Sequence, residues 1–326
     1  MINDKDYLKF EEGFFKPYFE KFIEFKRGKG EKVAQSTMIR LRKLNNALNN
    51  YHVNYISEQM VEELLAPRDG LSESERQYIT SNLRQYCSFL SLLGIDAATV
   101  PPKYMRAVRS EFRPYILSDD ELHRLVSAAD TLPAARRSHS HQQIYPVLVR
   151  LLIGTGMRIG EALALKRMDV DPSNGIINVI NGKNGVSRYI PVADSLKKVL
   201  HGYAETIDMT DKNKPFFNSS YTGGHLTYSA MRYMFPKMFK AAGIYTISGK
   251  TPNIHSIRHT FCTRSLEKML RSGMDAYTAI PILAAYVGHV NYMDTEKYIH
   301  FTEQGHEDFI QKESSLGSLF PEVNNE

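Results

Sequence analysis

Pro252-Asn-Ile-His255-Ser-Ile-Arg258-His259-Thr260 reads as a helix that opens just after a proline, whose fixed φ and missing N–H suit a first turn. Three-residue spacing puts His255 and Arg258 on one face of that helix. His255 and His259, four apart, also match the geometry of a zinc pair. The metalloprotease form of that pair has glutamate after the first histidine, and here the residue is Ser256. No cysteine, histidine or acidic cluster supplies a third ligand at a recognisable spacing. The stretch therefore points to an imidazole and a guanidinium aimed at an anion, with neither metal nor cofactor expected.

Working outward, Gly154-Thr-Gly156-Met-Arg158-Ile-Gly160-Glu161 supplies a second guanidinium. Its third glycine is one position late for a dinucleotide-binding turn, and no βαβ pattern surrounds it. The glycines instead predict a tight turn that sets Arg158 at a helix start, with Leu163 and Leu165 burying the far side. A guanidinium there offers paired N–H donors to two phosphate oxygens, which an ammonium cannot match. A surface pair between Arg158 and Glu161 is the plainer reading. Lys183 lies between two Asn-Gly steps at the tip of a predicted hairpin. It reads either as a solvated turn lysine or as a mobile ammonium reaching a leaving oxygen. Downstream, Gly288-His289 is followed nine residues later by Tyr298, predicted on the first turns of a short helix capped by Asp294. A phenol of ordinary pKa near 10 needs surrounding positive charge or a base to attack at neutral pH. Tyr286 and Tyr292 are its rivals.

The 326-residue chain is long enough for two domains, and 42% hydrophobic with 24% charged residues is a globular composition. No apolar run reaches the roughly 18 residues of a membrane span, and the amino terminus lacks the pattern of a secretion signal. Cys87 and Cys262 read as two reduced, buried thiols of a cytoplasmic protein. The net charge of +5 is modest. Its distribution is more telling: Lys26, Arg27, Lys29, Lys32, Arg40, Arg42 and Lys43 face a single acid, Glu31. Such a stripe can neutralise phosphates and release counterions, or it can be a solvated helix face.

Residues 1–110 read as a helical bundle. Tyr7–Phe25 carries aromatics at helical spacing, and Gln35-Ser-Thr starts a second helix with Met38, Leu41, Leu44 and Leu48 on one side and Arg40 and Lys43 on the other. Segments near Ser57–Leu65 and Ser72–Leu93 complete it. Residues 97–113, with Arg106 and Arg109, read as a basic linker. Ser118 and Glu121 form a predicted capping box that opens a second unit, 114–326. That unit is mostly helical, with strand signals at Ile176–Ile180 and Ser187–Val192 and Asn-Gly turns at 174–175, 181–182 and 184–185. The fold class is mainly α (α+β), with one small antiparallel sheet.

The order Arg158, Lys183, His255-x-x-Arg258, Gly288-His289, Tyr298 is similar to the active-site pattern of tyrosine recombinases, the phage-integrase superfamily, over residues 114 to about 302. Residues 1–110 resemble the family's core DNA-binding domain in kind alone. The resemblance, nearest to integrases of Gram-positive mobile elements, implies attack by Tyr298 on a DNA phosphodiester, a 3′-phosphotyrosyl intermediate and rejoining by a 5′ hydroxyl without ATP or metal. It implies that Arg158 and Arg258 stabilise the pentacoordinate phosphorus and that Lys183 protonates the leaving oxygen. His255 would act as general base or acid, and His289 would donate to a non-bridging oxygen. It further implies double-stranded recombination sites as partner, a homo-tetramer in the synaptic complex with residues 303–326 docking on a neighbour, accessory DNA-bending proteins in some systems, and a bacterial cytoplasmic setting. Lys26, Arg27, Lys29, Arg40, Arg42, Lys43, Arg106 and Arg109 become candidate DNA contacts. A relaxing topoisomerase of the same chemistry and a catalytically silent DNA-binding regulator are the alternatives. One departure stands out: the stretch Arg264–Tyr286 is longer than most members carry, as if a turn or loop were inserted.

Overall fold

A computed structural model describes residues 9–31, 33–101, 104, 114–133, 141–180, 187–218, 224–289, 295 and 298. It divides into two compact units, Met1–Phe112 and Arg113–Glu326. Each has its own hydrophobic core.

In the first unit, α1 (Lys16–Gly28), α2 (Gln35–Asn49), α3 (Glu58–Leu65) and α4 (Glu73–Leu92) close around Phe19, Phe22, Leu41, Leu48, Leu65 and Tyr86. The Ser57 and Ser72 hydroxyls cap α3 and α4 by accepting from the amides of Met60 and Glu75. The expected Tyr7–Phe25 helix starts only at Lys16, where Pro17 occupies the first turn. The segment before it is held by α2 instead. The Asn45 and Asn49 side-chain amides donate to the Glu11 and Glu12 carbonyls, each at 3.0 Å. Those bonds satisfy carbonyls that an earlier helix start would have claimed. Phe10 still reaches the core, stacked on Phe19 at 5.3 Å between centroids. Phe19 stacks on Tyr86 at 3.8 Å, and the buried Tyr86 hydroxyl donates to the Phe15 carbonyl at 3.2 Å.

The second unit opens with α5 (Asp119–Asp130), closed by the predicted capping box of Ser118 and Glu121. Then come α6 (His141–Thr155), α7 (Ile159–Ala164), a 3-10 turn (Arg167–Asp169), β1 (Val170–Asp171), β2 (Ile176–Val179) and β3 (Arg188–Pro191). Helices α8 (Asp194–Glu205), α9 (Tyr228–Ala241), α10 (His255–Arg271) and α11 (Ala276–Val287) follow. The sheet is antiparallel in the order β1-β2-β3, with Val170 opposite Ile177 and Ile177 opposite Ile190. Both predicted strands are present, β2 one residue shorter at its end and β3 one residue shorter at each end. The two-residue β1 was not expected, because it is too short to leave an alternation signal. Helix α6 is apolar nearly all round and runs through the core, with Tyr145, Leu148, Leu151 and Leu152 buried.

The Arg264–Tyr286 stretch is mostly helix. Helix α10 continues to Arg271, a short turn passes Gly273, and α11 returns against α10. Leu266, Ala279, Ile280, Leu283 and Val287 form a satellite cluster with Cys262 and Tyr298.

Candidate active site

The turn at Gly156 and the end of α11 at Gly288 shape the site. Gly156 has φ +58°, and a methyl carbon added there would lie 2.2 Å from the Phe261 ring. Gly288 has φ +69° and ends α11 in the left-handed region, where an added methyl would lie 2.6 Å from Nη1 of Arg188. Neither position tolerates a side chain without displacing a neighbour.

Between these turns two guanidinium groups are drawn to consecutive carbonyls. Arg258 is 6% exposed and donates to the Gly156 and Val287 carbonyls, both at 2.8 Å. Arg158 is the N-cap of α7 and donates to the Gly288 carbonyl at 3.1 Å. Burial pushes the Arg258 pKa down, and the nearby Arg158 charge adds to that. Two cations held this close, one of them deprived of water, concentrate positive charge at the end of α11.

One resident carboxylate tempers the pair. Glu161 accepts from the Arg158 amide and guanidinium at 3.0 Å each, and from Arg188 at 2.8 and 3.3 Å. Burial pulls its pKa up, but the bonds from Arg188 and Arg158 outweigh this and hold it below the usual carboxylate range. The Arg158–Glu161 pair anticipated as a surface contact is thus real but part-buried, and it has a third member. Arg188 was missed. The signal was available: alternation along β3 puts Arg188 on the same side as core residue Ile190. Its Nε also donates to the Tyr286 carbonyl at 2.8 Å, tying β3 to the end of α11.

Tyr298 is 4% exposed and packs in the α10–α11 cluster. Its hydroxyl lies 2.9 Å from Nδ1 of His259 and also meets the Cys262 thiol, whose pKa burial raises. Tyr298 and Arg258 are close enough to influence each other's charge. The chain therefore places its phenol and both arginines in one neighbourhood. His289 binds Thr295 Oγ1 through Nδ1 at 2.8 Å. His255 sits at the start of α10, its amide accepted by Asn253 Oδ1 at 3.1 Å. It lines an open cleft of about 860 Å³ together with Arg158, Glu161, Lys166, Val179 and Tyr228. Lys183 and Asp294 lie outside the described residues, as does the rival Tyr292. The other rival, Tyr286, gives its hydroxyl to the Pro191 carbonyl at 3.3 Å.

The basic stripe of the first unit is less uniform than expected. Arg27 is exposed, Lys29 lies over the Phe25 ring at 5.4 Å, and Lys43 pairs with Glu75 at 3.5 Å. Arg40 stacks on Tyr78 at 3.9 Å, and Arg42 is half-buried beside it on α2. Lys26 is a correction. It is 9% exposed and its ammonium binds Glu31 and Gln85, each at 2.6 Å, so it serves the bundle rather than an outside phosphate. It lies one turn beyond Phe22 on the buried side of α1, where Gln85 of α4 receives its ammonium. Arg106, Arg109, most of the basic linker and the tail 303–326 lie outside the described residues.

Comparison with known proteins identifies the family and the fold. The model of the phage integrase family matches residues 116–304. An integrase/recombinase of Sinorhizobium fredii, y4rB, is 30% identical over 206 residues, 61% of this chain and 66% of that one. Tyrosine recombinase XerD of Rhizobium meliloti is 25% identical over 256 residues, 76% of each chain. The chain spans about two thirds of the length of the first curated relatives it matches. Among solved structures, a lambda integrase (75–356) dimer bound to a core site superposes with a TM-score of 0.63 at 18% identity, covering 86% of this chain and 94% of that one. XerH bound to its difH substrate gives 0.61 at 17% identity, covering 89% and 94%. These two likenesses concern the fold.

Proposed function

The chain belongs to the phage integrase family, and from that premise we propose that it is a site-specific DNA recombinase acting through a 3′-phosphotyrosyl intermediate. The observation that carries this reading is the placement of Arg158 and Arg258 on the consecutive carbonyls of Gly288 and Val287, with Tyr298 packed against the helix that bears Arg258. Two fixed guanidinium groups can hold the non-bridging oxygens of a phosphodiester and gain strength as charge grows on the pentacoordinate phosphorus. Tyr298 forms the new bond to phosphorus, and the 5′ oxygen leaves. Lys183 protonates that oxygen, His255 serves as acid or base from the cleft wall, and His289 donates to a non-bridging oxygen. The bond energy stays in the phosphotyrosine, so a 5′ hydroxyl reverses the step without ATP.

Residues 1–110 act as the core DNA-binding domain, reaching double-stranded DNA through Arg27, Lys29, Arg40, Arg42 and Lys43, with Arg106 and Arg109 on the backbone between units. Two DNA sites are brought together by a homo-tetramer in which residues 303–326 dock on a neighbour, with DNA-bending accessory proteins assisting in some settings. The reaction integrates or excises a mobile element in a bacterial cytoplasm. Because Tyr298 is 4% exposed, its oxygen meets phosphorus only after the ring or its neighbours shift.

The test uses full-length protein and a pool of nicked duplexes carrying randomised inverted repeats, with covalent adducts recovered on denaturing gels and sequenced. Wild type yields an adduct on a defined sequence, undiminished in excess EDTA. Tyr298→Phe yields none while still shifting the same duplex in a native gel. An absolute divalent-metal requirement, or an adduct that survives Tyr298→Phe, contradicts the reading.

A further inference from the structure

We propose that His259 is the proton acceptor for Tyr298, a catalytic role outside the six residues above and resting on the recombinase reading. Helix α10 carries His255, Arg258 and His259 within its first five residues. Arg258 turns inward to the Gly156 and Val287 carbonyls, and His255 lines the cleft. His259 meets the nucleophile itself: Nδ1 is 2.9 Å from the Tyr298 hydroxyl, with the rings inclined at 47°. His289 sends its own Nδ1 to Thr295.

This contact answers a chemical need that the arginines meet only in part. A phenol holds its proton to a pH near 10, and attack at neutral pH requires a group to take that proton as the bond to phosphorus forms. A base must lie within hydrogen-bond reach of the proton, which 2.9 Å satisfies. Nδ1 accepts from the hydroxyl when the neutral imidazole carries its hydrogen on Nε2. In the step, the Tyr298 O–H bond breaks and its proton passes to Nδ1. The freed oxygen pair forms the bond to phosphorus while the bond to the 5′ oxygen breaks; that oxygen keeps the bonding pair and receives a proton from the acid. On rejoining, the imidazolium returns its proton to the departing phenolate.

The test is single-turnover cleavage by full-length protein of the duplex recovered above, made with either oxygen or a bridging 5′ sulfur at the scissile position. A thiolate leaves without protonation, so sulfur restores variants that lack the acid and leaves a missing base unhelped. His259→Gln keeps a hydrogen-bonding amide but cannot take the proton. It cleaves about a hundredfold more slowly on both duplexes while binding DNA as wild type does. Lys183→Ala recovers on sulfur. Wild-type rates for His259→Gln, or its recovery on sulfur, overturn the proposal. A DNA-free readout accompanies it: in protein labelled with nitrogen-15 at histidine, one ring, absent from His259→Gln, shows the Nε2–H tautomer and shifts in Tyr298→Phe. The opposite tautomer in that ring also overturns it. A wild-type protein that forms no adduct at all refutes the recombinase reading, whereas an adduct formed at full rate by His259→Gln refutes the base alone.

Discussion

Arg158, Arg188 and Arg258 converge on one end of α11, and among the described residues Glu161 is the carboxylate that pairs with Arg158 and Arg188. Its pKa is held below the usual range, so its contribution to stability is complete above the unfolded value near 4.3 and is lost as pH falls through the lower folded value. Glu161→Gln removes that dependence. Melting temperature measured against pH should show the variant below wild type at neutral pH and the gap closing under acid conditions. A gap unchanged between pH 7 and pH 3 would show that the carboxylate's charge plays no part. Arg158→Lys removes the planar fork and keeps the charge, so the recombinase account predicts a cleavage rate down by at least tenfold with DNA binding retained. Gly288→Ala places a methyl against Arg188 in a left-handed backbone and should cost about 1–2 kcal/mol in urea denaturation.

At the level of elements, the capping box that opens α5 is a direct test of local sequence logic. Ser118→Ala should destabilise the protein by about 1 kcal/mol, read from the urea midpoint, with no effect on DNA binding. What was legible in the sequence was local. Caps, Asn-Gly turns and the glycine punctuation around Arg158 act within a few residues, and α2, α3, α4, α5, β2 and β3 follow from them. What escaped was set by distant partners. The start of α1 was decided by Asn45 and Asn49 from another helix. The inward turn of Lys26 depends on Gln85, 59 residues away. Arg188 and His259 gain their meaning from Tyr286 and Tyr298, separated from them by 98 and 39 residues. His259 was visible as a neighbour of Arg258 but was weighed as a metal ligand, because four-residue spacing speaks of its own helix and not of a tyrosine arriving from elsewhere.

For the molecule as a whole, the division of labour proposed for the two units is tested by salt. Binding of the selected duplex should weaken with salt, and replacing Arg27 or Lys29 with alanine should flatten the log–log slope by about 0.9 each. Lys26→Ala should leave that slope alone and lower the melting temperature, since its ammonium is committed to Glu31 and Gln85. The central claim concerns which atom bonds to phosphorus, and chemistry can read that directly. The trapped adduct is digested with nuclease and protease, and the peptide bearing the residual nucleotide is sequenced by mass spectrometry. The account predicts a single modified peptide with the phosphate on Tyr298. A nucleotide found on Tyr286, on Tyr292 or on a serine would contradict it.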